Sequence, residues 1–213
     1  MSSSKGKLIV IDGGEGSGKG TLISRLKERF PDAVFTREPG GTSFAEIIRD
    51  LVVDGKIYPG IPESLNPLTQ LLAVMSARAD HVEKVIKPAL DQGRVVFTDR
   101  FDSASWAYQV SKMPELEFLF WETRKNVLGK TDSIQPYYIY LDVNPEAGLA
   151  RRAGDTTQEM NHFDKKPLSD HEKIREAYLK FMKPDIGRII DATQPLETVM
   201  KEAIIAISQV LSY

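Results

Sequence analysis

The stretch Leu8-Ile9-Val10-Ile11-Asp12-Gly13-Gly14-Glu15-Gly16-Ser17-Gly18-Lys19-Gly20-Thr21 decides how the rest of the chain is read. Four apolar residues in succession, without alternation, describe a strand buried on both faces. They run into an acid and then a glycine-rich loop with the spacing G-x-x-x-x-G-K, after which a helical pattern begins. Such a loop cradles phosphates. Its glycines let backbone N–H groups converge on phosphate oxygens, and the next helix adds the positive end of its dipole. Lys19 supplies a mobile cation for the β- and γ-phosphates. Gly20 stands where Ser or Thr is usual, and Thr21 comes one place later. No frame of the loop fits G-x-G-x-x-G, which argues against a dinucleotide fingerprint.

Working outward, similar apolar runs recur at Ala33–Thr36, Val95–Thr98, Tyr137–Leu141 and Arg188–Ile190, with helix-length segments between them. The last segment is the clearest helix. Leu196, Val199, Met200, Ala203, Ile204, Ile207, Val210 and Leu211 form one apolar stripe at i, i+3, i+4. Pro88 and Pro114 sit where helices could begin, and Gly93 where one should be capped. Strands alternating with helices predict an α/β fold, a parallel sheet covered by helices on both faces. Ligands of such sheets bind beyond the carboxyl ends of the strands.

The informative residues stand there. The second run ends in Thr36-Arg37-Glu38-Pro39-Gly40-Gly41-Thr42 and the third in Thr98-Asp99-Arg100-Phe101-Asp102. An apolar run that closes in Asp suits Mg²⁺, held directly or through water. The neighbouring Arg100 can fork onto a phosphate. Arg49 and Arg78 lie on helical segments between these runs. A phosphate loop with several arginines suits a second phosphorylated substrate beside a nucleoside triphosphate. After the fourth run, Leu141-Asp142-Val143-Asn144-Pro145-Glu146 leads to Arg151-Arg152, a polar stretch up to Lys165-Lys166-Pro167, and helical spacing again at Ile174, Ala177, Tyr178 and Phe181. This reads as helix, mobile flap, helix, with arginines able to close on a transferring phosphate.

Composition limits the alternatives. With 213 residues, 41% of them hydrophobic, a single domain over 1–213 is expected, not a disordered chain. The 28 basic and 30 acidic residues give a net charge of −2, which argues against a general nucleic-acid or anionic-membrane binder. The absence of cysteine removes disulfides and thiolate metal sites, and His81, His162 and His171 lack zinc-ligand spacing. No apolar stretch is long enough to span a bilayer, and the first residues do not read as a secretory signal, so a cytoplasmic protein is expected.

The ordered segments GGEGSGKGT, FTREPGGT, SARADHVEKVIKPAL, TDRFDSASWAYQ, YLDVNPEAGLARR and IDATQPLE resemble the thymidylate kinase family over nearly the whole chain, in its bacterial form. The resemblance implies a three-layer phosphate-loop nucleoside monophosphate kinase fold. Its five-stranded parallel sheet carries helices on both faces and a mobile lid at about 151–168. It also implies ATP and Mg²⁺, dTMP or a related deoxynucleoside monophosphate as the acceptor, and a homodimer. By the same resemblance Gly13, Gly14, Glu15, Gly16, Ser17, Gly18, Lys19, Gly20 and Thr21 hold the ATP phosphates, with Lys19 on the transferred group and Glu15 near the sugar 3′-OH. Arg49 and Arg100 match arginines on the acceptor phosphate, Arg37 belongs to the same family segment, and Asp99 matches the acid near Mg²⁺. Arg78 and Ser105 match residues at the base, and Tyr108, followed by Gln109, a ring that crowds the ribose 2′ position. Arg151 and Arg152 fall in the lid, and the segment Ala192–Pro195 passes near the adenine.

The chain departs from the pattern at several points. Val74 stands where the family has a Phe that stacks on the base, Ala104 replaces a usual Ser, and Trp106 is unusual in its place. In the lid, Asn161-His162-Phe163-Asp164 stands where the family has D-R-x-E. Base–aromatic stacking is worth roughly 1–3 kcal/mol. An acceptor pocket remodelled around Val74, with altered or broadened base specificity, is therefore an expectation unless Trp106 or Phe101 supplies the ring. The rival readings are another nucleoside monophosphate kinase and a non-catalytic ATP-binding protein of this fold. A phosphate-loop GTPase lacks support, since neither N-K-x-D nor D-x-x-G occurs.

Overall fold

In a computed structural model, which describes residues 5–53, 65–129, 134–154 and 166–212, the five apolar runs are five strands. They are β1 (Leu8–Gly13), β2 (Val34–Arg37), β3 (Val96–Asp99), β4 (Pro136–Asp142) and β5 (Gly187–Asp191). All pair in parallel in the order β2-β3-β1-β4-β5. The register places Arg37 opposite Asp99, Asp99 opposite Ile11, and Asp142 opposite Asp191. Each strand thus runs a residue or two past its apolar run and draws a polar side chain onto the ladder. Those side chains form a row along the carboxyl edge.

Parallel neighbours need long crossovers, and helices supply them. The helices are α1 (Lys19–Arg29), α2 (Ser43–Val52), α3 (Pro67–His81), α4 (Lys87–Asp91), α5 (Asp102–Tyr108), α6 (Glu117–Leu128), α7 (Pro145–Gly154), α8 (Leu168–Phe181) and α9 (Leu196–Leu211). Local chemistry sets several starts. The Thr42 hydroxyl accepts from Ala45 N at the head of α2, and Asn66 does the same from Thr69 N before Pro67 at the head of α3. Both faces of the sheet are buried, as the unalternating runs require. Leu8, Val10 and Tyr138 pack into a cluster with residues of α3, α5, α6 and α8. Ile9, Ile11 and Ile139 pack with Leu22 and Leu26 of α1 and with Val199, Ala203 and Ile207 of α9.

Of the two prolines placed at helix starts, Pro114 keeps that place and Pro88 needs a correction. Pro88 stands at the second position of α4, but no helix starts afresh there. The chain is helical from Pro67 to Asp91, through a π-helical turn at Val82–Ile86. Proline has no N–H and collides with the carbonyl one turn back, and the wider turn just before Pro88 accommodates both. Pro114 opens a 3₁₀ turn, Pro114–Leu116, which leads into α6. Gly93 caps as expected. It takes φ 74°, Gly93 N donates to Leu90 O and Arg94 N to Ala89 O, the paired bonds of a left-handed helix end.

Candidate active site

The loop between β1 and α1 depends on glycine at two positions for different reasons. Gly18, at the head of α1, has φ 84°, a left-handed conformation that suits glycine. Gly16 has φ 66°, and a Cβ there would lie 1.9 Å from Gly148 O on α7. The loop is thereby pressed against the helix that carries Arg151 and Arg152. The Ser17 hydroxyl is buried with no hydrogen-bond partner among the described residues. At the mouth of the loop, Lys19 Nζ lies 3.0 Å from Asp99 Oδ1 at the end of β3. Burial acts to raise the Asp99 carboxyl, but Lys19 and Arg100 outweigh it and hold the group below its usual value.

Arg100 follows directly and takes φ 65°, a left-handed conformation that costs a non-glycine residue about 1–2 kcal/mol. Its backbone is fixed from both sides, by Arg100 N donating to Ile11 O and the Thr98 hydroxyl donating to Arg100 O. The result aims the guanidinium across the end of β1. Nη1 donates to Asp12 Oδ1 at 3.1 Å and to the Tyr178 hydroxyl at 2.9 Å, and Nη2 lies 3.4 Å from Glu15 Oε1. Asp12 is almost fully buried and also accepts from Ser103 Oγ and Gly13 N. Burial pushes its carboxyl up, against the opposing pull of Arg100 and these two bonds.

Beside this centre lies a cavity of about 270 Å³ at the carboxyl edge of the sheet. Four cations line it, Lys19, Arg49, Arg100 and Arg152, together with the acids Asp99 and Glu15. The lining also includes apolar Pro39, Val52, Val53, Val74, Phe101 and Ala104, and polar groups from Arg78, Ser105, Tyr108 and Gln109. Arg78 is buried, ion-paired to Glu38 at 2.7 Å and bonded to Ser105 Oγ at 2.9 Å. The Tyr108 hydroxyl is pushed up to about 12, chiefly by burial, so the ring stays neutral beside Arg100.

The structure thus gathers Glu15, Lys19, Arg49, Val74, Arg78, Asp99, Arg100, Ser105, Tyr108, Gln109 and Arg152 around one space. Two of the sequence candidates face elsewhere. Arg37 is paired with Glu46 at 2.8 Å and lines a separate cleft with Gly20, Lys27 and Asp99. Arg151 donates from Nη1 to Ala192 O at 2.7 Å, which ties α7 to the segment after β5. Trp106 does not supply a ring to the cavity. It packs against Phe120, Trp121 and Phe181, whereas Phe101 does line the cavity. Most of the expected lid, 155–165, including Asn161-His162-Phe163-Asp164, lies outside the described residues. Sequence reading missed Asp12, Glu38, His81, Ser103 and Tyr178 as partners of the site. Asp12 alone had a local signal, an acid ending a buried strand beside the phosphate loop.

A phosphate loop at the head of α1, with a cationic cavity between it and α2, α3 and α5, defines a phosphate-loop nucleoside monophosphate kinase architecture. The sequence profile of the family "Thymidylate kinase" matches residues 11–203. The chain is 33% identical to the thymidylate kinase of Lactobacillus acidophilus, covering 96% of this chain and 95% of that one. It is 37% identical to the thymidylate kinase of Leuconostoc mesenteroides subsp. mesenteroides, covering 95% of each. The chain belongs to the thymidylate kinase family.

Proposed function

We propose that this chain transfers the γ-phosphoryl group of ATP to dTMP, yielding dTDP and ADP. One observation carries the reading. A single cavity is lined both by the phosphate-loop lysine, Lys19, and by Arg78, Ser105 and Tyr108, the residues matched to the acceptor base and sugar. An oxygen of the dTMP phosphate attacks the γ-phosphorus, and the bond from that phosphorus to the bridging oxygen of ADP breaks. The nucleophile is already anionic, so no dedicated base is required. Catalysis then rests on alignment and on spreading charge.

In this reading the backbone of Gly13–Thr21 and the buried Ser17 hydroxyl, which has no partner among the described residues, hold the donor phosphates, and Lys19 follows the transferred group. Arg49 and Arg100 orient the acceptor phosphate. Arg152, which lines the cavity, meets the transferring phosphoryl. Arg151, bound to Ala192 O, sets the donor side near the adenine. Arg37, turned to Glu46, acts on the loop and not on the substrate. Arg78 and Ser105 meet the base, while Tyr108 and Gln109 bound the sugar.

Asp99 fits a role with Mg²⁺. Among the described residues no group of three or more acids or histidines gathers as a metal cage. An ion held mainly by nucleotide phosphates and water needs only one or two carboxylates. When bound, the ion neutralises charge on the β- and γ-oxygens. Asp99, kept ionised by Lys19, is the carboxylate offered to it.

The remaining readings are one kinase domain with a lid, a homodimer and a cytoplasmic site of action. Apolar residues exposed on α2 and α3 support the dimer, namely Phe44, Ile47, Leu68 and Leu72. The net charge of −2 argues against a general nucleic-acid binder. Among the described residues no helix is long and apolar enough to cross a membrane.

A coupled ADP-release assay with ATP and Mg²⁺ tests the function. It compares dTMP, dUMP, 5-hydroxymethyl-dUMP, dCMP, dGMP, dAMP and UMP at equal concentration. The expected result is release that depends on an added monophosphate, with dTMP leading. Equal or faster release with another base would move the name of the activity and point to Val74 and Ala104.

A further inference from the structure

Arg78 is held in an unusual way. Its Nε donates to Glu38 Oε2 at 2.7 Å, Nη2 donates to Ser105 Oγ at 2.9 Å, and Nη1 lies 3.2 Å from Met75 Sδ. Glu38 therefore grips the guanidinium through one oxygen. A carboxylate and a guanidinium commonly pair side by side, through two parallel N–H···O bonds. Here the second oxygen is taken. Glu38 Oε1 lies 2.9 Å from His81 Nδ1. A carboxylate only accepts, so Nδ1 carries the hydrogen.

The imidazole has little freedom to let go. His81 is fully buried on α3, one turn beyond Arg78. Its Nε2 lies 2.7 Å from Thr36 Oγ1 on β2. A Cβ on Gly41 would come within 2.5 Å of the ring, so the backbone of that loop roofs it. The histidine touches neither the cavity nor the reacting phosphates, and no step of the transfer uses it.

We propose that His81 is a positioning residue for recognition of the acceptor base. By occupying Glu38 Oε1 it denies Arg78 the two-point pairing, keeps Nη2 on Ser105, and fixes the edge that Arg78 turns to the cavity. This rests on reading the cavity as the dTMP site. A guanidinium offers donors only, so an edge fixed in this way favours a base that presents a carbonyl oxygen over one that presents an amino group. Without His81, Glu38 Oε1 is open to Nη2 beside the Nε bond, which draws the guanidinium toward Glu38 and loosens its hold on Ser105.

Two substitutions separate positioning from bulk structure. In His81→Asn the amide nitrogen falls near the place of Nδ1 and can still donate to Glu38. In His81→Gln it falls near Nε2, toward Thr36, and Glu38 Oε1 is left open. For His81→Gln the expected results are a KM for dTMP raised about tenfold and a preference for dTMP over dCMP reduced about tenfold, the effect of one charged hydrogen bond. Its kcat and its KM for ATP stay within about twofold, the pattern of lost ground-state binding. His81→Asn stays close to the wild type. Wild-type turnover in the same assay checks the underlying reading. A wild type without dTMP-dependent ADP release overturns that reading and this inference with it. An active wild type, with an unchanged base preference in His81→Gln, overturns the positioning role alone. If His81→Gln does not fold, Thr36→Val loosens the same ring. It should raise the KM for dTMP and lower the base preference, and an unchanged preference in that variant overturns the role equally.

Discussion

Arg100 joins β3 to β1 twice, its Nη1 donating to Asp12 Oδ1 at 3.1 Å and its backbone N–H donating to Ile11 O at 3.0 Å. The same side chain therefore supports the fold and faces the cavity. Removing it leaves the Asp12 carboxylate, 2% exposed, without its cation. Arg100→Ala is expected to cost about 3 kcal/mol, the low end for breaking a buried pair, because the arginine keeps some access to water. Urea denaturation measures it. Asp12→Asn combined with Arg100→Ala should cost less than the two single changes added together.

The backbone at the same position makes a second prediction. With φ 65° at Arg100, an alanine there still pays for the left-handed conformation and a glycine does not. Arg100→Gly should therefore be more stable than Arg100→Ala by about 1 kcal/mol. The usual order, with glycine the less stable, would show that the strain is relieved elsewhere.

Gly148 on α7 is a steric requirement of the phosphate loop. A Cβ there would lie 2.3 Å from Glu15 O, a backbone atom that cannot swing aside. Gly148→Ala should displace the loop and raise the KM for ATP, with a stability loss of about 1–3 kcal/mol from overpacking. Titration of ATP at saturating dTMP reads the first effect and thermal denaturation the second.

Much of this was legible in the sequence because it is local. Unalternating runs gave the strands to within a residue or two, and the loop after Ile11 gave the edge on which the site is built. What the sequence hid is made by distance. Glu38 meets Arg78 and His81 across 40 and 43 residues, and Asp12 meets Ser103 across 91. No spacing rule connects such pairs before the sheet order is known. Trp106 shows a different limit. It was a candidate for the ring missing at position 74, but successive helical residues face different ways, and its ring joins the core with Phe120 and Phe181. The side-chain partners of Arg37 and Arg151, Glu46 and Ala192 O, were equally illegible, since the sequence gives a charge but not its nearest acceptor.

The Lys19–Asp99 pair gives a pH dependence of fixed sign. The folded-state pKa of Asp99 is lowered. Its stabilising contribution is thus present above the unfolded value of about 3.9 and lost as pH falls through the folded value. Lys19→Met removes the larger of the opposing charges. In that variant the loss of stability on acidification below about pH 4 should be shallower than in the wild type. Denaturant midpoints measured from pH 6 down to pH 3 check it, and parallel curves would show that the pair does not set the Asp99 ionisation.

Every residue role above depends on transfer of a phosphoryl group from ATP to dTMP. The most direct test supplies ATP labelled in its γ-phosphate, with dTMP and Mg²⁺, and separates the products. The expected result is label in dTDP, formed in step with ADP, and a loss of about 10²–10³ in kcat for Lys19→Met, as for removal of one charge-stabilising donor, with the variant still folded. Label appearing as inorganic phosphate regardless of dTMP, or in dTDP at an undiminished rate in Lys19→Met, would contradict it.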